Sequence, residues 1–141
     1  MGKGFLVVAW SGCSLLAGCA HESTSMVIVN GTQQQLSEVD CRYNNDRDSA
    51  SAGSLSPGQS KMTSYIPVPR ENLSLQWVGG ERYEAQLPMK DSYLIKDGVI
   101  VLQILPDSKV SIRAQNRTEF LGELTHPLGD VYMGTRKSLE K

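Results

Sequence analysis

Apolar and polar residues alternate with a period of two in the best-patterned part of this chain, which is the period of a β-strand. Two such runs flank Gly79-Gly80, and this arrangement predicts a β-hairpin. A three-residue loop over residues 79–81 pairs Trp77 with Tyr83 and keeps the apolar side chains of both runs on one face. Those side chains are Leu73, Leu75, Trp77, Tyr83, Ala85 and Leu87. No segment keeps a helical period for long.

A second apolar run, residues 99–105, carries apolar side chains at both sets of alternating positions apart from Gln103. Such a run is typical of a central strand that is covered on both faces. The turn signal Pro106-Asp107-Ser108 follows it, and a hairpin there would pair Ile104 with Val110.

Three further segments complete the predicted architecture. Asp97-Gly98 is a hairpin signal that would pair Ile95 with Ile100. Residues 61–68 read as an edge strand, because prolines close the segment. Residues 44–54 are small and polar, which predicts a long surface loop. The sequence therefore predicts an all-β fold, a small antiparallel β-sandwich or barrel of about seven strands.

The N-terminus has a different character. Lys3 precedes a charge-free apolar run over residues 5–16, in the proportions of an export signal. The run is too short for a spanning helix, which needs about 20 apolar residues. It ends in Leu16-Ala17-Gly18-Cys19, which resembles the lipobox of bacterial prolipoproteins. The resemblance implies cleavage between Gly18 and Cys19 and acylation of Cys19. An ordinary secretory signal is the alternative.

That resemblance sets the expected organisation of the chain. We expect a signal peptide over residues 1–18, a lipidated polar tether over 19–25, a β-domain over 26–124 and an irregular tail over 125–141. In bacterial lipoproteins, Asp after the cysteine is associated with retention at the inner membrane. Here Ala20 follows the cysteine, so the resemblance implies the periplasmic face of the outer membrane.

The residue types needed for catalysis or metal binding are poorly placed. His21 falls in the tether and His126 in a Thr-His-Pro turn, so neither is a good candidate for a catalytic base. Asp46-Arg47-Asp48 resembles a fragment of a calcium loop, but the later ligands are missing and Arg47 would oppose a cation. We expect no enzymatic activity, cofactor or metal. The near-neutral formal charge of −1 gives no sign of a nucleic-acid surface.

Two residues have competing interpretations. Cys41 is either buried in a strand or paired in an intermolecular disulfide, because an exported compartment is oxidising. Trp77 either packs in the core, as its alternation indicates, or is exposed to stack on a sugar or a protein partner.

The function predicted from these features is that of a lipid-anchored periplasmic protein. It would be a non-enzymatic, protein-binding or structural component of a cell-envelope assembly, such as a secretion or surface-appendage accessory. An immunity lipoprotein that blocks a periplasmic toxin is an alternative. A carbohydrate-binding or hydrolytic envelope protein, using Trp77 and nearby carboxylates, is a second alternative.

Overall fold

The computed structural model describes residues 23–95, 97–116 and 129–137, which contain ten β-strands and two short 3-10 turns. Within these ranges no helix has the length and apolar character needed to cross a bilayer. The lipobox residues 16–19, His21 and His126 lie outside the described residues. The two 3-10 turns are Asp91–Tyr93 and Pro106–Ser108.

The strands form two five-stranded sheets packed face to face, which confirms the all-β prediction and selects the sandwich. The β7 sheet has the order β4-β1-β7-β8-β9, and the β5 sheet has the order β10-β6-β5-β2-β3. The strands are β1 (Ser23–Asn30), β2 (Leu36–Tyr43), β3 (Asp48–Leu55), β4 (Ser60–Pro67), β5 (Leu73–Gly79), β6 (Glu81–Leu87), β7 (Gly98–Leu105), β8 (Lys109–Asn116), β9 (Asp130–Met133) and β10 (Thr135–Lys137).

Both hairpin registers that rest on alternation plus a turn signal are confirmed. In the β5–β6 hairpin Trp77 pairs with Tyr83, and Gly80 takes the left-handed conformation at the tip. In the β7–β8 hairpin Ile104 pairs with Val110. β7 is the central strand of its sheet, and β4 lies at an edge, as its closing proline requires.

The predicted hairpin at Asp97-Gly98 is wrong. The residues before Gly98 form a 3-10 turn and a loop, and Ile95 pairs with no strand residue in the described part of the chain. β7 instead pairs in parallel with β1, where Ser25 lies opposite Val99. The sandwich is therefore mixed rather than purely antiparallel. A parallel partner more than seventy residues away leaves no local signal in the sequence.

The predicted loop over residues 44–54 is also wrong, because all but its first four residues belong to β3. Ala50 and Ala52 point into the core, and the exposed residues Ser49 and Ser51 alternate with them and face solvent. This alternation is weak in the sequence, because the inward residues are small alanines and the segment has a low mean hydropathy. Only residues 44–47 form the connecting turn.

The domain begins earlier and ends later in the sequence than predicted. β1 begins at Ser23, so the tether expected over residues 19–25 is shortened by three residues. The tail expected to be irregular over 125–141 contains β9 and β10. β9 extends the β7 sheet and β10 extends the β5 sheet, so the chain changes sheets at Gly134. A Cβ there would lie 2.8 Å from the Ser108 carbonyl oxygen, which explains the glycine.

The main core lies between the two sheets, and their outer faces differ. On the β7 sheet, Val27, Val29, Val99 and Val101 form a second apolar cluster on the face away from the main core. This cluster accounts for the apolar side chains on both faces of β7. The outer face of the β5 sheet is polar.

The two ends of the sandwich can be named by their connections. The N-terminal end is where β1 begins, and it also holds residues 44–47, 68–72 and 88–95. The Trp77 end is the opposite end, where β1 finishes. It holds the connections over residues 31–35, 56–59 and 106–108 and the tip of the β5–β6 hairpin.

Candidate functional site

A pocket of about 320 Å³ opens at the Trp77 end of the sandwich. Its volume falls within the range of small-molecule and side-chain binding pockets. The connection between β1 and β2 and the turn between β7 and β8 form its rim, and the β5–β6 hairpin contributes aromatic rings. The lining residues are Thr32, Gln33, Gln34, Leu36, Trp77, Tyr83, Leu105, Pro106, Asp107 and Ser108.

Buried Asn30 shapes the rim of this pocket. Its Nδ2 donates to the carbonyl oxygens of Gln34 (2.8 Å) and Leu55 (2.9 Å). Its Oδ1 accepts from the backbone N–H of Thr32 (2.9 Å) and from the Thr32 hydroxyl (2.6 Å). Both donors and both acceptor sites of the amide are used, so Asn30 fixes residues 31–35 as a rigid rim.

The backbone around Asn30 joins the same rim to neighbouring elements. Its N–H donates to the Gln59 carbonyl (2.9 Å), and its own carbonyl accepts from Gly58 (2.8 Å). Gly31 then donates to the Ile104 carbonyl on β7 (2.7 Å). Two consecutive residues thus join the connections over residues 31–35 and 56–59 to each other and to β7.

The aromatic side of the pocket is preorganised by stacking. The rings of Trp77 and Tyr83 lie 5.6 Å apart between centroids with an interplanar angle of 23°. Trp77 is only 2% exposed, which confirms its prediction as a core residue. Gly134 packs against the indole, where a Cβ would lie 3.0 Å from the ring. The indole therefore supports the wall of the pocket and offers no open face for a sugar.

A larger hollow of about 540 Å³ lies over the polar outer face of the β5 sheet and reaches the N-terminal end. Two of its charged groups, Arg42 and Glu84, are already paired. Arg42 Nε lies 2.9 Å from Asp40, and Glu84 binds Lys137 at 2.8 Å. The bond from Lys137 is the main reason why the pKa of Glu84 is lowered. This hollow has the features of a hydrated surface depression.

Of the two acidic residues suggested as a calcium fragment, Asp46 lies in a tight turn and Asp48 is the first residue of β3. Asn44, Asn45 and Asp46 all have positive φ, and the Asn44 side-chain carbonyl accepts from the Arg70 backbone N–H at 2.8 Å. The turn therefore braces a neighbouring loop. Among the described residues no group of three or more His, Cys, Asp and Glu side chains is placed to hold a metal ion.

Cys41 faces the main core from β2 and is a free thiol with no exposed surface. Burial raises its pKa to about 12, and the charge of Asp40 adds to the effect. A neutral, enclosed thiol is unreactive, so the structure favours the buried-strand interpretation over an intermolecular disulfide.

A polar cluster at the N-terminal end fixes the loop between β6 and β7. The Tyr93 hydroxyl donates to Asp130 at 2.5 Å, and Lys90 Nζ lies 3.0 Å from the same carboxylate. Lys90 also sits 5.9 Å from the centre of the Tyr93 ring. The bonds from Tyr93 and Lys90 lower the pKa of Asp130. This cluster ties the loop to edge strand β9.

Sequence reasoning found Trp77 and Tyr83 but missed the pocket that they help to build. Its rim comes from segments more than seventy residues apart, which meet only because β1 lies beside β7. Asn30 and Thr32, which organise the rim, lie at an ordinary turn signal, Asn30-Gly31. The available signal was an Asn directly after an apolar strand, with a Thr two residues later.

Comparison with known proteins places the chain in no family. No family model matches it, and no curated protein matches it. A protein from Eubacterium rectale solved by NMR aligns with a TM-score of 0.47 at 12% identity, over 67% of this chain and 88% of that one. The protein elicitor MoHrip2 from Magnaporthe oryzae aligns with a TM-score of 0.36 at 11% identity, over 82% of this chain and 93% of that one. Neither likeness bears on function.

Proposed function

We propose that this protein is a bacterial lipoprotein, anchored through acylated Cys19 at the periplasmic face of the outer membrane, that binds a protein partner at its Trp77 end. In this proposal it is a non-enzymatic component of a cell-envelope assembly. One observation carries the proposal: β1 begins at one end of the sandwich, four residues after Cys19, and the pocket opens at the other end.

The direction of β1 through the sandwich supports a binding site on the side away from the membrane. Four residues can reach about 14 Å at roughly 3.4 Å per residue, so an anchor at Cys19 would hold the N-terminal end close to the bilayer. β1 then runs directly away from the membrane to Asn30. The rim that Asn30 organises would face the periplasm, where a partner can reach it.

The chemistry of the pocket supports a protein partner. Leu105 and Pro106 supply apolar contact, and polar side chains stand around them. A pocket of this kind suits one large apolar or aromatic side chain whose neighbouring backbone bonds to the rim, as at the centre of many interfaces. The covered indole gives the carbohydrate alternative no support.

The anchor is tested by mass spectrometry of the protein extracted from bacterial membranes. We expect a mature chain that begins at Cys19 and carries acyl groups on it. Cys19→Ser should abolish the acylation and the processing. An unmodified Cys19 thiol, or an intact bond between Gly18 and Cys19, would refute the anchor.

The binding site is tested by photo-crosslinking in cells, with the crosslinker at exposed Gln33 on the pocket rim. A matched control places it at exposed Gln86 on the outer face of the β5 sheet. We expect one discrete protein adduct from position 33 and none from position 86. Gln34→Trp, which narrows the pocket, should remove the adduct. Equal adducts from both positions, or an adduct that survives Gln34→Trp, would contradict this site.

A further inference from the structure

Four large apolar side chains are exposed in the described part of the chain, and two of them are adjacent in one loop. Leu94 is 39% exposed and Ile95 is 42% exposed. Both lie in the connection between β6 and β7 at the N-terminal end. The other two, Val131 and Met133, lie on edge strand β9. Leu94 and Ile95 are defined here as the apolar tip.

The apolar tip leaves the sandwich at the same end as the start of the chain. Ser25 pairs in parallel with Val99, so the residues that precede each of them emerge side by side. The Gly98 N–H donates to the Ile95 carbonyl at 3.0 Å, and this bond turns the chain directly from the tip into β7.

The tip is held in place rather than left to move freely. Within the 3-10 turn, Tyr93 donates to the Lys90 carbonyl and Leu94 donates to the Asp91 carbonyl, each at 3.0 Å. Tyr93 is buried immediately before the tip, and its hydroxyl bonds to Asp130 on β9. A supported loop that keeps two adjacent apolar side chains exposed is suited to an apolar partner.

We propose that the apolar tip inserts into the interfacial region of the phospholipid bilayer, as a second membrane contact beside the acylated N-terminus. This inference rests on the proposed lipid anchor. The partner is a bilayer because the chain that precedes Ser23 provides only three residues between the strand and Cys19. That length leaves the neighbouring tip within reach of the headgroups.

The charges near the tip favour an apolar rather than an electrostatic contact. Asp91 and Asp97 flank the tip together with Lys90 and Lys96, so the formal charges around it cancel. Lys90 is also bound to Asp130. Apolar insertion at the interface depends on buried area and does not require anionic lipid. Two contacts would also fix the orientation of the sandwich, because a single tether allows it to rotate.

The test uses the full chain, purified from membranes and reconstituted into phosphatidylcholine vesicles that contain nitroxide-labelled lipid. An environment-sensitive fluorophore is attached to Leu94→Cys, or to Gln33→Cys at the far end as the matched control. Buried Cys41 should remain unlabelled. We expect several-fold stronger quenching at position 94 than at position 33, with little dependence on salt.

A second reporter, at exposed Ser92→Cys, is measured with the native tip and with Leu94→Asp and Ile95→Asp combined. The charged tip should remove most of the quenching, while the circular dichroism spectrum stays unchanged. Acylated protein with equal quenching at positions 94 and 33 would overturn the inference and leave the anchor standing. A fluorescence change without lipid quenching would indicate contact between two copies, and it would also overturn the inference. Quenching at position 94 in protein that lacks acylation would refute the anchor alone.

Discussion

The two ends of the sandwich both use polar hydrogen bonds to fix their loops, but one end encloses a pocket and the other exposes apolar side chains. At the Trp77 end, one buried amide satisfies the surrounding loops and leaves a sheltered pocket. At the N-terminal end, Tyr93 and Lys90 converge on one carboxylate and hold two apolar side chains out in solvent. The first arrangement forms a concave site and the second a convex one. A protein partner suits the former and a lipid surface suits the latter.

The largest expected effect comes from removing Asn30. Asn30→Ala removes the four hydrogen bonds of this buried amide, and we expect a loss of about 3 kcal/mol of unfolding free energy. The measurement is urea unfolding followed by Trp77 fluorescence. Asn72→Ala, at an exposed position, should change the stability by less than about 0.5 kcal/mol.

Asn30→Ala also tests whether the two ends of the sandwich open independently. Hydrogen exchange should accelerate over residues 31–35, which bond to the Asn30 amide. It should remain unchanged over residues 90–95, because no described hydrogen bond joins them to that amide. Equal acceleration at both ends would show that they open as one unit, and the division drawn here would then be wrong.

Alkaline pH should act first on the half of the sandwich nearer the N-terminal end. Burial raises the pKa of Cys41 to about 12, and it also raises the pKa values of Tyr43 and Tyr93. In the unfolded chain a thiol ionises near its ordinary pKa of about 8.5. The folded protein therefore binds more protons than the unfolded chain between these values, and stability must fall as pH rises.

Urea midpoints measured from about pH 8 to about pH 11 give this dependence. Cys41→Ala should flatten the decline, whatever its effect on stability at neutral pH, because the thiol no longer titrates. Parallel curves for the wild-type protein and the variant would contradict the role given to Cys41. Hydrogen exchange at high pH should rise around β2 near Tyr43 before it rises around residues 31–35.

The part of this fold that the sequence predicts is the part built from neighbours in the chain. The β5–β6 and β7–β8 hairpins follow from alternation and a turn, and both registers are confirmed. The parallel β1–β7 pair, β9 and β10 depend on partners far away in the chain, and no local pattern marks them. β3 escaped prediction because alanines fill its inward positions.

The same distinction between local and long-range structure holds for the candidate sites. Trp77 was identified as a core residue because its own strand shows where it points. The pocket beside it requires the β1–β7 pairing to bring residues 31–35 next to residues 106–108. The apolar tip was assigned to a strand, because Ile95 near Asp97-Gly98 fits a hairpin as well as a loop. The prediction of acylated Cys19 depends on residues outside the described ranges and stays a prediction.

The smallest expected effect concerns the support of the apolar tip. Tyr93→Phe keeps the buried ring and removes only the hydroxyl that donates to Asp130. Because the carboxylate can recover water as a partner, we expect a loss of at most about 1 kcal/mol in unfolding free energy. Hydrogen exchange should accelerate over residues 90–95. Tyr83→Phe, the matched change at the Trp77 end, should leave that loop unaffected.

The effect of Tyr93→Phe should also depend on pH with a definite sign. The bonds from Tyr93 and Lys90 lower the pKa of Asp130, so the contribution of this cluster is present at neutral pH. It is lost as the pH falls through the folded-state pKa of Asp130, because a protonated carboxyl is a weaker acceptor. The wild-type protein and the variant should therefore converge in stability at acidic pH. A difference that persists there would show that the hydroxyl acts through packing, and the tip would then be supported by the buried ring alone.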